Sequence, residues 1–250
     1  MLETITFYVI VGLVGLLIGL SKGGMGAVLI VLTTPLLSLV MTVPQAISLA
    51  LPLLLFADGF ALWVYWRQWD NSYIRLLMPA AVLGVIVGTV LLATLPELVL
   101  RRILGGFTLL FVAYRVFSYQ MLAWNYQPRD WHGYVAGVAS GLGSALANTG
   151  APPFTAYMLL QRVTPLVFAG TTTLFFAAVN LLKLPGLVLA GLFDVRNLLE
   201  TLWVLPFVPL GVWLGRKLIQ RIDQRAFEAL LLFLLLLAGL ILMLTAPQPN

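Results

Sequence analysis

A short polar stretch interrupts the first apolar run of the chain and carries a lysine. Residues 21–26 begin with Ser21 and Lys22, which are followed by Gly23 and Gly24. A lysine before glycines that open a helix places an ammonium beside unpaired backbone N–H groups and the positive end of the helix dipole. This arrangement favours an anion. The alternative is that Lys22 lies at a cytoplasmic turn, reaches water and contributes only to membrane topology.

A second polar break lies in the other half of the chain. Asn148, Thr149 and Gly150 precede a segment that starts with Pro152 and Pro153, and prolines suit a first helical turn. Irregular backbone at membrane depth is tolerated only where it is buried in protein or lines a cavity. Two such breaks at matching positions therefore predict a central site. Asn148 and Thr149 would donate hydrogen bonds there; helix capping is the alternative role, and the two roles are compatible.

Two ionisable residues, Asp58 and Lys183, lie inside apolar segments. Charges there are energetically costly and usually face a partner or a transport pathway. We predict a structural ion pair between them; the alternative is that Asp58 is a proton carrier. The run Thr171 to Thr173 places hydroxyl groups on the same segment as Lys183, although threonines in membrane helices commonly bond their own backbone.

The remaining reactive side chains exclude several classes of function. The chain has no cysteine and one histidine, His132, which excludes disulfides, thiol catalysis and a metal site rich in cysteine or histidine. Without these groups or paired intramembrane carboxylates, an enzyme is disfavoured. The net charge of +5 is dispersed among loops, so no nucleic-acid partner is predicted. No cofactor is predicted either.

The composition predicts a lipid bilayer as the solvent. Hydrophobic residues make up 61% of the 250 residues and charged residues 9%, which is too little polar surface for a soluble globule. Apolar stretches of roughly 17–25 residues fit helices that cross a bilayer, whereas barrel strands would alternate in polarity. The predicted fold class is an all-α integral membrane protein, with residues 1–250 as one membrane domain. Because no basic residue precedes the first apolar run, we expect no cleaved signal peptide.

About ten apolar segments are predicted, in two sets of five. The first set is Ile5 to Leu20, Met25 to Val40, Pro44 to Trp66, Tyr73 to Leu95, and Leu98 to Ser118. The second set is Gly133 to Ala147, Pro153 to Leu160, Pro165 to Leu192, Leu198 to Gly215, and Ala226 to Thr245. The first two segments of each set are short and broken by glycine or proline, so they form a broken or re-entrant pair.

The loop cations are distributed unevenly between the two sides of the membrane that these segments define. The larger group is Arg67, Arg75, Arg115, Arg129, Arg162, Arg216, Lys217, Arg221 and Arg225. The smaller group is Arg101, Arg102 and Arg196. The positive-inside rule places the larger group in the cytoplasm and therefore both termini in the periplasm.

The two halves of the sequence resemble each other. The spacing Pro-x4-Gly-x3-Gly occurs as Pro79, Gly84 and Gly88, and again as Pro206, Gly211 and Gly215. We predict repeat 1 over about residues 1–122 and repeat 2 over about residues 130–250. Because each repeat has an odd number of segments, the two must be inverted, as is typical of secondary transporters. The glycine spacing also suits close helix packing.

These motifs together resemble those of the TauE/SafE family of sulfite exporters and related anion permeases, over nearly the whole chain. The resembling parts are residues 19–26, Pro35, Pro44 and Ala46, then residues 141–144, 148–153, 169–172, Phe175, Phe176, Asn180 and Lys183. The resemblance implies a bacterial inner-membrane carrier of sulfite, thiosulfate, organosulfonates or similar anions, driven by the membrane gradient. Many relatives have a second glycine-rich turn where this chain has Asn148, Thr149 and Gly150.

We therefore predict an anion permease whose site forms between the two broken pairs, with a small anion and the bilayer as its partners. The predicted site residues are Ser21, Lys22, Gly23, Gly24, Asn148, Thr149, Gly150, Thr171, Asn180 and Lys183. One alternative is a passive anion channel. A rival of another class is a membrane enzyme or assembly factor.

Overall fold

The computed structural model describes residues 2–26, 28–121, 128–193, 202–218 and 222–245, and within these ranges it is helical with no strand. Ten α-helices lie in the described ranges. They are α1 (Leu2–Leu20), α2 (Val28–Leu37), α3 (Val43–Val64), α4 (Asn71–Thr94), α5 (Glu97–Met121), α6 (Asp130–Ala147), α7 (Ala151–Leu160), α8 (Pro165–Leu189), α9 (Phe207–Leu218) and α10 (Gln224–Leu244). A π-helical turn, Ser21–Met25, continues α1, and a 3₁₀ turn, Leu202–Val204, precedes α9.

Five helical stretches are long and apolar enough to cross a membrane. They are Ile5–Met25, Val43–Val64, Asn71–Thr94, Pro165–Leu189 and Arg225–Leu244. Their outward faces are apolar: on α4, Leu83, Ile86 and Val90 are all more than half exposed. Side chains three and four residues apart form one stripe of a helix, and a stripe of this kind suits lipid contact. The predicted helical membrane protein is confirmed.

The short helices fall where the broken pairs are predicted. Both α2 and α7 have 10 residues, a length of about 15 Å at 1.5 Å per residue. This length is roughly half of a hydrocarbon core about 30 Å thick. Helix α2 is shorter at both ends than the predicted segment, Met25 to Val40. The start of the predicted ninth segment, at Leu198, lies outside the described residues.

Side-chain caps explain where several helices begin. The backbone N–H of Thr42 donates to Gln45 Oε1 at 3.1 Å before α3, and Thr164 Oγ1 accepts from the backbone of α8. Each cap precedes a proline in the first turn, where its missing N–H costs nothing. Asp70 caps α4, and hydrogen bonds from Ser72 hold the pKa of Asp70 below its usual value.

Glycines allow two pairs of parallel helices to pack closely. In the pair α1 and α9, Gly19 and Gly23 lie against the carbonyl oxygens of Val208 and Val212. The two glycines and the two carbonyls follow the same order along the chain, so the helices run parallel. A Cβ atom on Gly23 would lie 2.6 Å from the Val212 oxygen, a distance that no side chain tolerates.

The pair α4 and α6 repeats this geometry. Gly84 and Gly88 lie against the carbonyl oxygens of Val138 and Leu142, so these helices are parallel too. Gly141 in α6 lies in turn against the backbone of Ala81 in α4. Close approach of backbones through small residues is a common source of helix association in membranes.

Two further pairs are antiparallel and establish which helix ends lie together. Asn180 contacts Asp58 while Thr171, earlier in α8, contacts Asp70 beyond the end of α3. Arg115 near the end of α5 pairs with Glu228 near the start of α10. One side of the helix bundle therefore contains the ends of α3, α5 and α9 and the starts of α4, α6, α8 and α10. We call this side the basic face.

The basic face carries the described members of the larger cation group. They are Arg67, Arg75, Arg115, Arg129, Arg162, Arg216, Lys217 and Arg225. Arg101 and Arg102 lie in the early turns of α5, at the opposite face. Arg196 and Arg221 lie outside the described residues. Since α1 runs parallel to α9, the start of α1 lies at the opposite face, together with the end of α10.

Candidate anion-binding site

The first break holds Lys22 in a turn that requires glycine. Within the π-helical turn, Gly24 has φ of 110°, and Gly26 after it has φ of 96°. Residues with a Cβ rarely adopt these angles. The turn breaks the line of α1 before α2 begins at Val28. The side chain of Lys22 points toward α3, which carries its ion-pair partner, Asp58.

The second break turns the chain between α6 and α7 through Asn148, which has φ of 53°. The backbone N–H groups of Asn148 and Thr149 donate to the carbonyls of Ser144 and Gly143 at 3.1 and 3.0 Å. The bond from Asn148 to Ser144 is that of a left-handed (αL) helix C-cap, and asparagine is one of the few residues other than glycine that accept the left-handed position. The turn frees the amide of Asn148 to bond elsewhere.

A cavity of about 590 Å³ lies between the two breaks. Its polar and charged lining includes Ser21, Lys22, Asp58, Tyr65, Tyr114, Arg115, Ser144, Asn148, Thr155, Thr172, Thr173, Asn180 and Glu228. The lining extends from Asp58 and Asn180, within α3 and α8, to Tyr65 after α3 and Phe227 in the first turn of α10. The cavity therefore extends from the middle of the bundle to the basic face.

Toward the opposite face, the helices are closed by apolar packing. The buried cluster there includes Ile47 and Leu51 of α3, Leu92 of α4, Leu146 of α6 and Leu187 of α8. All of these side chains are at most 3% exposed. Such dense packing leaves no room for a hydrated ion to pass.

An ion pair lies in the cavity wall. Lys22 Nζ donates to Asp58 Oδ1 at 2.6 Å, and Asn180 Nδ2 donates to Asp58 Oδ2 at 2.7 Å. Asp58 is only 1% exposed, whereas the side chain of Lys22 is 17% exposed. The carboxylate therefore accepts a hydrogen bond at each oxygen, and the side chain of Lys22 is the more exposed member of the pair.

A second polar group lies behind the wall. Lys183 is 1% exposed, and its Nζ donates to Asn148 Oδ1 at 2.7 Å and to the Ser144 carbonyl at 3.3 Å. Asn148 Nδ2 donates to Thr34 Oγ1 at 2.9 Å. Lys183 therefore binds the turn after α6 from behind, and Asn148 joins it to α2. Within the described residues, no three histidine or acidic side chains are grouped to hold a metal ion.

Five of the ten predicted site residues line the cavity. They are Ser21, Lys22, Gly24, Asn148 and Asn180. Gly23 instead packs against α9, and Gly150 packs against the Ser140 carbonyl. Thr149 Oγ1 donates to the Gly143 carbonyl at 3.4 Å, which is a capping role. Lys183 does not line the cavity itself; it donates a hydrogen bond to Asn148, which does.

Thr171, a predicted site residue, does not line the cavity. Its side chain is fully buried, and its Oγ1 accepts a hydrogen bond from the backbone N–H of Asp70 at 3.0 Å. It therefore anchors the loop between α3 and α4. Thr172 and Thr173, its neighbours, line the cavity instead. Helical spacing identifies them, because Thr173 lies seven residues before Asn180 and hence on the same face.

The predicted ion pair also needs correction. Asp58 takes Lys22 and Asn180 as its direct partners, while the ammonium of Lys183 points to Asn148 and Ser144. The reason is geometric: the π-helical turn delivers Lys22 to the side of α3, and Asn180 occupies the place on α8 nearest Asp58. Arg115, predicted only as a loop cation, forms an ion pair with Glu228 that lines the cavity mouth. The sequence pattern does not single out Glu228.

Comparison with known proteins gives one match. The model of the family described as sulfite exporter TauE/SafE matches residues 11–242. No curated protein and no solved structure matches the chain. The match spans both breaks, the ion pair and all ten helices in whole or in part. The chain belongs to the TauE/SafE sulfite exporter family.

Proposed function

We propose that this protein is a secondary transporter that carries small sulfur-containing anions, such as sulfite, thiosulfate or organosulfonates, across the bacterial inner membrane. One observation carries the proposal: Lys22, in a glycine-dependent break of the membrane helices, lines a central cavity together with Asn148 from the second break. An ammonium and amide donors at membrane depth suit an anion. The family supports transport as the general function.

The packing of the helices supports two inverted repeats. The first helix of each half packs in parallel on the fourth helix of the other half, as α1 with α9 and α6 with α4. The third helices, α3 and α8, and the fifth helices, α5 and α10, pair in antiparallel fashion. A twofold axis in the membrane plane would relate the two halves in this way, because it turns each helix of one half into an inverted copy in the other half.

The charge distribution supports an orientation. The positive-inside rule assigns the basic face to the cytoplasm, and both ends of the chain then belong to the periplasm. In this orientation the cavity opens to the cytoplasm and the apolar cluster around Leu51 closes the periplasmic side. Transport would require this cluster to open while the cytoplasmic side closes, as in alternating access.

A binding screen tests the function. Purified protein is heated with sulfite, thiosulfate, sulfate or methanesulfonate, and we expect at least one sulfur anion to raise the apparent melting temperature, since a ligand of the folded state stabilises it. Uptake into liposomes should saturate with anion concentration. Flux that stays linear would favour a passive channel, and no binding or flux with any of these anions would refute the proposal.

The role of Lys22 needs a variant that leaves no buried unpaired carboxylate. We therefore compare Asp58→Asn with the double variant Lys22→Gln/Asp58→Asn. Losing the ammonium should weaken anion binding by about tenfold to a hundredfold, or roughly 1.5–3 kcal/mol for a charge-assisted hydrogen bond. Lys217→Gln is the control, because that lysine lies over the Trp213 ring and does not line the cavity. Equal affinity in both Asp58 variants would remove Lys22 from the site.

A further inference from the structure

Asp58 occupies the position that a bound anion would need. Its Oδ1 atom lies 2.6 Å from Lys22 Nζ, the distance of a charge-assisted hydrogen bond. Both residues line the same cavity. The carboxylate is thus an internal anion bound to the cation that the proposed function assigns to the substrate.

An ionised Asp58 opposes substrate binding in two ways. It neutralises most of the field of Lys22 toward the cavity, and it repels a second anion placed beside the same ammonium. Two like charges at contact distance repel each other, and the repulsion is stronger inside a protein than in bulk water. A proton on Asp58 removes both effects. The hydrogen bond from Asn180 Nδ2 at 2.7 Å can persist, because a protonated carboxyl still accepts through its second oxygen.

We propose that Asp58 is the coupling residue of this transporter: it holds Lys22 while the site is empty, and it takes up a proton from cavity water when the substrate anion replaces it. This inference rests on the proposed function. The step forms one O–H bond at Asp58 and breaks one O–H bond of a hydronium ion in the cavity, which leaves as water. The ion pair between Asp58 and Lys22 breaks, and the ammonium then pairs with the anion. The site thereby carries one anion and one proton together.

The other charged groups around Asp58 are held elsewhere. Lys183, on α8, donates to Asn148 and to the Ser144 carbonyl. Arg115 of α5 pairs with Glu228 of α10 at the cavity mouth. Tyr65 and Tyr114 also line the cavity. Glu228 is therefore the natural control for Asp58, because it is a second carboxylate that lines the cavity and pairs with a cation.

Proton uptake is measured by titration calorimetry with thiosulfate and methanesulfonate, anions whose own charge stays constant near neutral pH. Each titration is repeated in two buffers of equal pH and different ionisation enthalpy. We expect wild-type protein to take up about one proton per anion, and its affinity to fall about tenfold per unit rise in pH. Asp58→Asn should take up almost none, and its affinity should be nearly independent of pH.

Two further variants and a spectroscopic measurement keep the inference testable if Asp58→Asn does not fold. Asp58→Glu and Glu228→Gln should both retain the proton uptake. Infrared difference spectra of wild type and Glu228→Gln should gain the C=O band of a protonated carboxylic acid when either anion is added. Binding without proton uptake, or uptake that persists in Asp58→Asn, would overturn the role of Asp58 and leave the proposed transport function standing. Failure of both anions to bind wild type would overturn the inference for these two anions, whereas the transport function is overturned only if sulfite and sulfate fail to bind as well.

Discussion

Lys183 supports the wall of the cavity through Asn148: its Nζ lies 2.7 Å from Asn148 Oδ1, and its side chain is 1% exposed. Asn148 has a left-handed backbone and occupies the turn between α6 and α7. The lysine therefore fixes the orientation of an amide that faces the cavity, and its own charge lies one residue behind the surface that an anion would touch.

Replacing this lysine should destabilise the protein. Lys183→Met keeps the length and the apolar stem but leaves Asn148 Oδ1 without its donor. We expect a loss of about 1–3 kcal/mol in the free energy of unfolding, the typical cost of an unsatisfied buried group. Denaturant unfolding in detergent measures it. The control Lys217→Met, at the end of α9, should cost no more than about 0.5–1 kcal/mol, the contribution of its exposed cation–π contact with Trp213; equal losses in the two variants would contradict the assigned role.

The breaks and the charged residues could be predicted because their signals are local. A lysine before glycines, an asparagine before prolines and an aspartate in an apolar segment each stand out in the sequence alone. Their partners could not be predicted, because pairing depends on the rotation and depth of helices far apart in the chain. One residue along a helix turns a side chain by about 100°, which separates Thr171 at the loop from Thr172 at the cavity.

Thr171 should matter for stability and not for binding. Thr171→Val removes the acceptor for the backbone N–H of Asp70, so we expect a loss of about 1–3 kcal/mol in the free energy of unfolding. Anion affinity of the folded variant should equal that of wild type. The comparison variant is Thr173→Val, which changes the lining of the cavity and should alter affinity. Weaker binding in Thr171→Val alone would return Thr171 to the site.

Adjacent glycines in α5 provide a matched pair for the contact between α5 and α10. A Cβ on Gly105 would lie 2.8 Å from the Gly239 carbonyl oxygen, whereas one on Gly106 would meet nothing within 4 Å. Gly105→Ala should therefore cost about 1–3 kcal/mol through overpacking. Gly106→Ala should be neutral or stabilise by up to about 1 kcal/mol, since glycine weakens a helix. Similar effects of the two changes on thermal unfolding would refute this packing.

The absence of cysteine from the sequence permits a clean test of the cavity and its orientation. Thr172→Cys places a thiol in the cavity lining, and Asn71→Cys places one on the exposed start of α4. Both thiols should react with a membrane-impermeant maleimide in inside-out vesicles and not in right-side-out vesicles. A bound anion should slow labelling of Thr172→Cys only. Labelling from the periplasmic side would invalidate the proposed orientation.

A double-mutant cycle distinguishes the two cations near Asp58. Lys22→Gln should cost about 3–5 kcal/mol because it leaves the buried carboxylate of Asp58 without its cation. In combination with Asp58→Asn about 1–3 kcal/mol of that loss should disappear, and this difference is the coupling energy. Asp58 and Lys183 lie on contacting helices but have different direct partners, so the cycle of Asp58→Asn with Lys183→Met should give a smaller coupling. Denaturant unfolding of the single and double variants supplies both values. A coupling with Lys183 that equals or exceeds the coupling with Lys22 would show that the pair of Asp58 with Lys183, and not the pair with Lys22, dominates the electrostatics of the site.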